Sequence, residues 1–170
     1  MKLRNETLTI LKNFATINSG IQFKTGNTLS TMSSGKSILA KATIKDEFPE
    51  DFCVFDLNQF LSVHSINKDT QLEFDDKNII FKAGKNKLKY RKTEKSMIVT
   101  PPDRELKLPS SEISFSLTAE ELASILDTAK VLQSPNISVE SDGDKVYIVA
   151  SDVQDTSAHT NSFEVGAGNG

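Results

Sequence analysis

One amphipathic helical segment followed by short strand-like runs recurs three times along this chain, and that recurrence limits its possible folds more than any other feature. The spacing predicts a first helix over Glu6–Ile17, with Leu8, Leu11 and Ala15 on one stripe, Phe14 beside it and Gly20 marking its end. Strands are predicted at Ile21–Lys24, Thr28–Met32 and Ser37–Ile44, interrupted at Gly26-Asn27 and Ser34-Gly35. The second unit opens with a strand at Phe52–Phe55. Asp56 then caps a helix that carries Leu57, Phe60, Leu61 and His64 at i, i+3, i+4 and i+7. Gln71–Phe74, Asn78–Lys82, Lys87–Arg91 and Met97–Thr100 follow as strands. The third unit has a strand at Ile113–Leu117 and Thr118 as N-cap with Glu121 completing a capping box. Its helix uses Leu122, Ile125, Leu126, Ala129 and Leu132. Strands at Asn136–Glu140 and Val146–Ser151 flank an Asp142-Gly143 turn, and a weaker one lies near Thr160–Val165.

Helix starts near residues 6, 57 and 119 give a strand–helix–three-strand unit of about fifty to sixty residues, longer than most solenoid repeats. Such units must pair, because one helix cannot cover a sheet face whereas two units side by side place two helices across two sheets. The Pro-rich stretch from Thr100 to Ser111 reads as a connector. The expected organisation is therefore α+β: a two-unit domain over 1–100, a connector over 101–111, and the first half of a second domain over 112–170. The glycine-rich ending Gly166–Gly170 reads as a truncation or a loose tail, since a fourth unit is expected after it.

Charge narrows the function. A net charge of −3 argues against a protein that coats nucleic acid by bulk attraction, so any DNA contact must be local. Acidic residues gather at Asp46, Glu47, Glu50, Asp51 and Asp56; Lys82–Lys95 holds seven basic residues against Glu94 alone. Both runs read first as solvated surface. Lys85, Lys87, Lys89 and Arg91 alternate with Leu88 and Tyr90, so their charges share one sheet face. With no apolar window of about 18 residues and no signal-type segment after Met1, the expectation is a soluble, intracellular protein without membrane contact. Cys53, the only cysteine, sits in an apolar run and reads as a buried thiol.

LKNFATINSGI (Leu11–Ile21) and FDLNQFLSV (Phe55–Val63) resemble the T-even-type bacteriophage sliding clamps, and the connector, the EEL…LQ helix (Glu120–Gln133) and its hairpin follow in that family's order. The resemblance implies a DNA-clamp fold, with repeated strand–helix–three-strand units and helices on one side of antiparallel sheets. It implies a trimeric ring of two-domain subunits, with helices lining the hole. It also implies a DNA polymerase processivity factor that encircles duplex DNA without reading sequence, is placed by an ATP-driven clamp loader, and works in the cytoplasm of an infected bacterium. No catalytic residue, metal or cofactor is implied.

Weak, non-specific attraction to phosphates lets a ring slide, and Lys2, Arg4, Lys12, Lys24, Lys68 and Lys130 are the candidates for it. Glu120 and Asp127 lie where the family would lead one to expect basic residues. Carried over from the family, the subunit edges are Met97, Ile98, Val99 and Thr100 on one side and Thr160, Ser162, Phe163 and Val165 on the other. An apolar partner peptide would bind beside the connector at Leu106, Leu108 and Pro109; anchoring the connector on its own domain explains those residues equally well.

Other motifs carry less. Gly35-Lys36-Ser37 has Ser30 where a phosphate loop needs glycine and a strand where it needs a helix. Asp152, Asp155, Ser157 and His159 read as polar loop residues rather than metal ligands or a triad, and His64 reads as a core or boundary histidine. Two other classes remain beside the clamp: a β-rich phage structural or assembly protein, and a hydrolase built on the Asp152–His159 region.

Overall fold

In the computed structural model, which describes residues 1–67, 69–103, 113–155 and 157–167, helix α1 (Asn5–Ile17) buries Thr7, Leu11 and Phe14 at helical spacing. Strands β1 (Ile21–Phe23), β2 (Gly26–Met32) and β3 (Leu39–Phe48) follow, then β4 (Phe52–Val54) and helix α2 (Leu57–Ser65). Asp56 caps α2 by accepting from the Gln59 N–H at 2.9 Å, as its position predicts. Strands β5 (Gln71–Phe74), β6 (Asn78–Ala83) and β7 (Asn86–Arg91) complete this part. Helix α3 (Ala119–Val131) starts with the full Thr118–Glu121 capping box and precedes β8 (Asn136–Ser141), β9 (Lys145–Ser151) and β10 (Asn161–Ala167). The chain divides into two compact units, Met1–Glu105 and Leu106–Gly170.

The first unit is made of two halves that exchange edges. All pairing is antiparallel, in the orders β3-β2-β1-β4 and β5-β6-β7. Strand β4, which leads the second half, joins the sheet of the first half through Ile21↔Val54, Gln22↔Cys53 and Phe23↔Phe52. Reciprocally, Met1, which leads the first half, lies on β5: its ammonium donates to the Leu72 carbonyl at 2.6 Å and its carbonyl accepts from Leu72 N at 2.7 Å. Each sheet thus ends on a piece of the other half, and α1 and α2 pack on each other across them.

An aromatic cluster joins both sheets to α2. Phe23 meets Phe52 at 4.6 Å, Phe48 at 4.7 Å and Phe60 of α2 at 5.9 Å between ring centroids, and Phe60 continues to Phe81 and Tyr90. Leu11, Leu29, Val54, Leu57, Leu72 and Ile79 fill the space around it. Cys53 is buried on β4, and burial pushes its thiol pKa up. In the second unit, α3 lies on β9 and β10 and buries Ile125 and Ala129 with Val146, Ile148 and Ala150. Leu122 and Leu126 of α3 and Ile137 and Val139 of β8 stay between 45% and 48% exposed, in a unit whose described residues form one helix and one sheet.

Several expectations need correcting. Strand β3 runs on to Phe48 because Ile44, Asp46 and Phe48 alternate inward. Asp46 is consequently not solvated surface: it is buried and takes the Arg4 backbone N–H at 2.9 Å and the Arg4 Nε at 3.4 Å, tying the start of α1 to β3. Met97–Thr100 is not a strand. Lys95–Met97 turns as a 3-10 helix, and sheet pairing ends at the Thr93–Cys53 bridge. Residues 113–117 alternate in burial but join no sheet among the described residues, and Thr160 precedes β10. Alternation gives a strand its two faces; a neighbour at hydrogen-bonding distance makes it a strand.

Phe23 is fully buried at the centre of the aromatic cluster, so Phe23→Ala should lower the first unit's stability by about 3–5 kcal/mol, measured by urea unfolding. His64 is buried against Phe81, and its Nε2 has no hydrogen-bond partner among the described residues. Burial lowers its pKa below the ordinary 6.5, because the desolvated site disfavours the imidazolium. The unfolded chain therefore binds the proton more readily. Stability is intact above 6.5 and falls as pH drops from there through the depressed folded value. His64→Leu should flatten this limb in denaturation curves taken across the imidazole range, from about pH 7.5 down to about pH 4.5.

Candidate nucleic-acid interface and subunit edges

Helices α1 and α2 keep one face to solvent, and its chemistry is chiefly neutral. Asn5, Thr9, Asn13 and Thr16 of α1 and Asn58, Gln59, Ser62 and Ser65 of α2 are exposed, with Glu6 and Lys12 as the charged members. Thr9, Thr16, Ser62 and Ser65 donate their hydroxyl protons to carbonyls of their own helices, which leaves the oxygens as acceptors. Such a surface offers many short polar contacts and little net charge.

The expected cations divide into two groups. Lys2 pairs with Asp69 at 2.8 Å, Lys24 with Asp103 at 2.7 Å, and Arg4 with buried Asp46. The lysines hold the carboxyls of Asp69 and Asp103 below the usual carboxylate range, chiefly through these hydrogen bonds. Lys12 on α1 and Lys130 in the last turn of α3 are exposed, and among the described residues no carboxylate pairs with either. Lys130 also complements the negative end of its helix. Lys68 lies outside the described residues, as do Leu106, Leu108 and Pro109.

On β7, Lys87, Lys89 and Arg91 are exposed while Leu88 and Tyr90 turn toward the core, as the alternation predicts. Lys87 stands directly opposite Lys82 on β6, a like-charge pair relieved by the Lys82–Glu73 bridge.

Two open edges stand out. Strand β10 ends the second unit's sheet, pairing among the described residues only with β9 and carrying a bulge between Glu164 and Gly166; Ser162, Phe163 and Val165 lie on it. In the first unit, residues 98–100 run on from the Lys95–Met97 turn without a strand neighbour among the described residues. Ile98 is extended (φ −133°, ψ 155°), and Met97 and Phe55 are 62% and 57% exposed. Asn18, which the sequence did not single out, donates to the Val99 carbonyl at 3.0 Å. Its signal was an amide residue closing a helix two positions before a buried glycine.

No group of three or more metal-ligating side chains occurs among the described residues, and no helix among them is long and apolar enough to cross a membrane. Asp152 accepts from the Gln154 N–H and Asp155 from Ser157, so these carboxylates shape loops.

The family model described as DNA polymerase processivity factor matches residues 4–100. The chain is 30% identical over 174 residues to the sliding clamp of Vibrio phage KVP40, covering 99% of this chain and 77% of that protein. It is 33% identical over 150 residues to the sliding clamp of Escherichia phage RB69, covering 87% of this chain and 65% of that one. Among solved structures, the DNA polymerase III β chain of Streptococcus pneumoniae superposes with a TM-score of 0.56 at 16% identity, over 94% of this chain and 48% of that one. The PCNA2–PCNA3 complex of Sulfolobus tokodaii gives 0.54 at 17%, over 92% and 68%. The exchanged half-domains are thus the fold of those clamps, and by its sequence the chain belongs to the DNA polymerase processivity factor family, the sliding clamps of T4-like phages.

Proposed function

We propose that this chain serves as a sliding-clamp subunit that holds duplex DNA by enclosure and tethers a replicative DNA polymerase, with no chemistry of its own. The observation that carries the reading is the pair of exchanged half-domains whose helices leave a neutral polar face open. Residues 1–100 form one clamp domain, 101–111 the connector, and 112–170 the first half of a second domain. Sliding requires contacts that break as easily as they form. Hydroxyl and amide groups on α1 and α2 provide such contacts, and Lys12 and Lys130, each within its own unit, add weak attraction to phosphates. Lys2, Arg4 and Lys24 contribute by exchanging a carboxylate for a phosphate, and Lys68 is a further candidate for phosphate contact.

The ring is a trimer in this reading. Its subunits join by adding Met97, Ile98, Val99 and Thr100 to the edge carrying Thr160, Ser162, Phe163 and Val165, with Phe55 covered in the process. A polymerase peptide docks beside Leu106, Leu108 and Pro109, and an ATP-driven loader places the ring in the cytoplasm of an infected bacterium.

Retention on DNA tests enclosure. With a T-even-type loader and ATP, the chain should stay on a nicked circle through gel filtration and leave when the circle is cut; equal retention on linear and circular DNA would sink the reading. Sedimentation at rising concentration should show a three-chain species, and a single-chain boundary throughout would exclude the ring. Replacing Lys12 and Lys130 by alanine should shorten residence and flatten the log–log salt dependence by about 0.9 per lost phosphate contact.

A further inference from the structure

We infer that Asn18 and Gly20 form a latch that holds residues 98–100 extended at the edge of the first unit, ready to receive a neighbouring chain's strand. The inference rests on the reading of this segment as a subunit edge, and adds the residues that prepare it. After the Thr93 N–H donates to Cys53 O at 3.0 Å, the Lys95–Met97 turn carries the chain away from β4, so no sheet bond among the described residues fixes residues 98–100. Asn18 takes over that task. Its Nδ2 donates to Met32 O at 2.8 Å and to Val99 O at 3.0 Å, while its Oδ1 accepts from Gly20 N at 3.0 Å. One amide thereby joins the end of α1, the end of β2 and a carbonyl 81 residues away.

Gly20 completes the latch by its lack of a side chain. A Cβ there would stand 2.6 Å from Ile98 Cγ2 and 2.9 Å from Ile98 Cβ, so only glycine admits Ile98 to the corner. Downstream, Lys24 and Lys95 both reach Asp103, at 2.7 and 3.4 Å, and hold the outgoing chain. Strand addition fixes backbone torsions, and an edge already held extended loses less entropy on pairing. Asn18 touches neither DNA nor a partner in this scheme; it is a positioning residue for assembly.

Asn18→Asp separates the two halves of the latch. The carboxylate still accepts from Gly20 N, but it cannot donate to the carbonyls of Met32 and Val99. In the full chain, 15N relaxation should report lower order at Val99 and Thr100, and sedimentation should show association about tenfold weaker, because the edge must then be ordered on pairing, with the thermal midpoint of the first unit lowered by a few degrees for the two lost hydrogen bonds. Ile98→Ala, which empties the Gly20 corner and leaves Asn18 in place, should loosen the same residues and serves if the first variant folds poorly. Unchanged order at Val99 and Thr100 in both variants would overturn the latch. Loosened residues with undiminished association would overturn its role in assembly. A wild-type chain that never associates would overturn the subunit-edge reading, while the relaxation data still decide whether the latch exists.

Discussion

A helix of nine or thirteen residues is too narrow to shield a sheet alone, and the architecture of the first unit answers that limit. Two helices lie side by side, and each sheet recruits its last edge from the other half. Phe23 shows how tightly the arrangement is bound together. Its ring touches aromatic side chains from β3, β4 and α2, and Phe52 and Phe60 carry the contact on to Phe74 and Phe81 of the other sheet, so the two sheets share one core. The second unit shows the same limit from the other side. With one helix and one sheet among the described residues, Leu122, Leu126, Ile137 and Val139 remain half exposed, whereas Phe60 and His64, at the same distances from their N-cap as Leu122 and Leu126, are buried in the first unit.

Weak attraction and a closed path around DNA are alternatives to affinity. A protein that had to find and keep DNA by charge alone would need a basic surface, and this chain carries net negative charge. The exposed helix faces fit the other solution. Hydroxyl groups that spend their protons on their own helix carbonyls present oxygens outward, and the amides of Asn13, Asn58 and Gln59 can give or take a hydrogen bond through water. Several lysines are already matched by carboxylates, which lowers the net attraction further.

Most elements could be read from local chemistry. The β5 strand falls on the residues that alternation marked, α2 starts at its aspartate cap, and α3 starts at its capping box, since each signal resides in a few neighbouring side chains. Local pattern could not supply the identity of long-range partners. Met97–Thr100 has the composition of a strand, yet Asn18 holds its carbonyl; Asp46 sits in an acidic run, yet Arg4 draws it inside. The lysines show the same limit, because nothing near Lys2 or Lys24 in the sequence announces Asp69 or Asp103. The family was legible from two short segments; the internal connection that gives the asparagine in one of them its task was not.

The bond between Met1 and Leu72 also bears on how the chain comes off the ribosome. Met1 finds its place only after β5 has emerged, and β1 lacks one neighbour until Phe52–Val54 has appeared. Nascent α1 and its strands therefore wait with apolar edges uncovered while the second half is translated. Contacts so distant in sequence favour late, concerted closure over stepwise growth, and expose the half-made domain to chaperones in the interval.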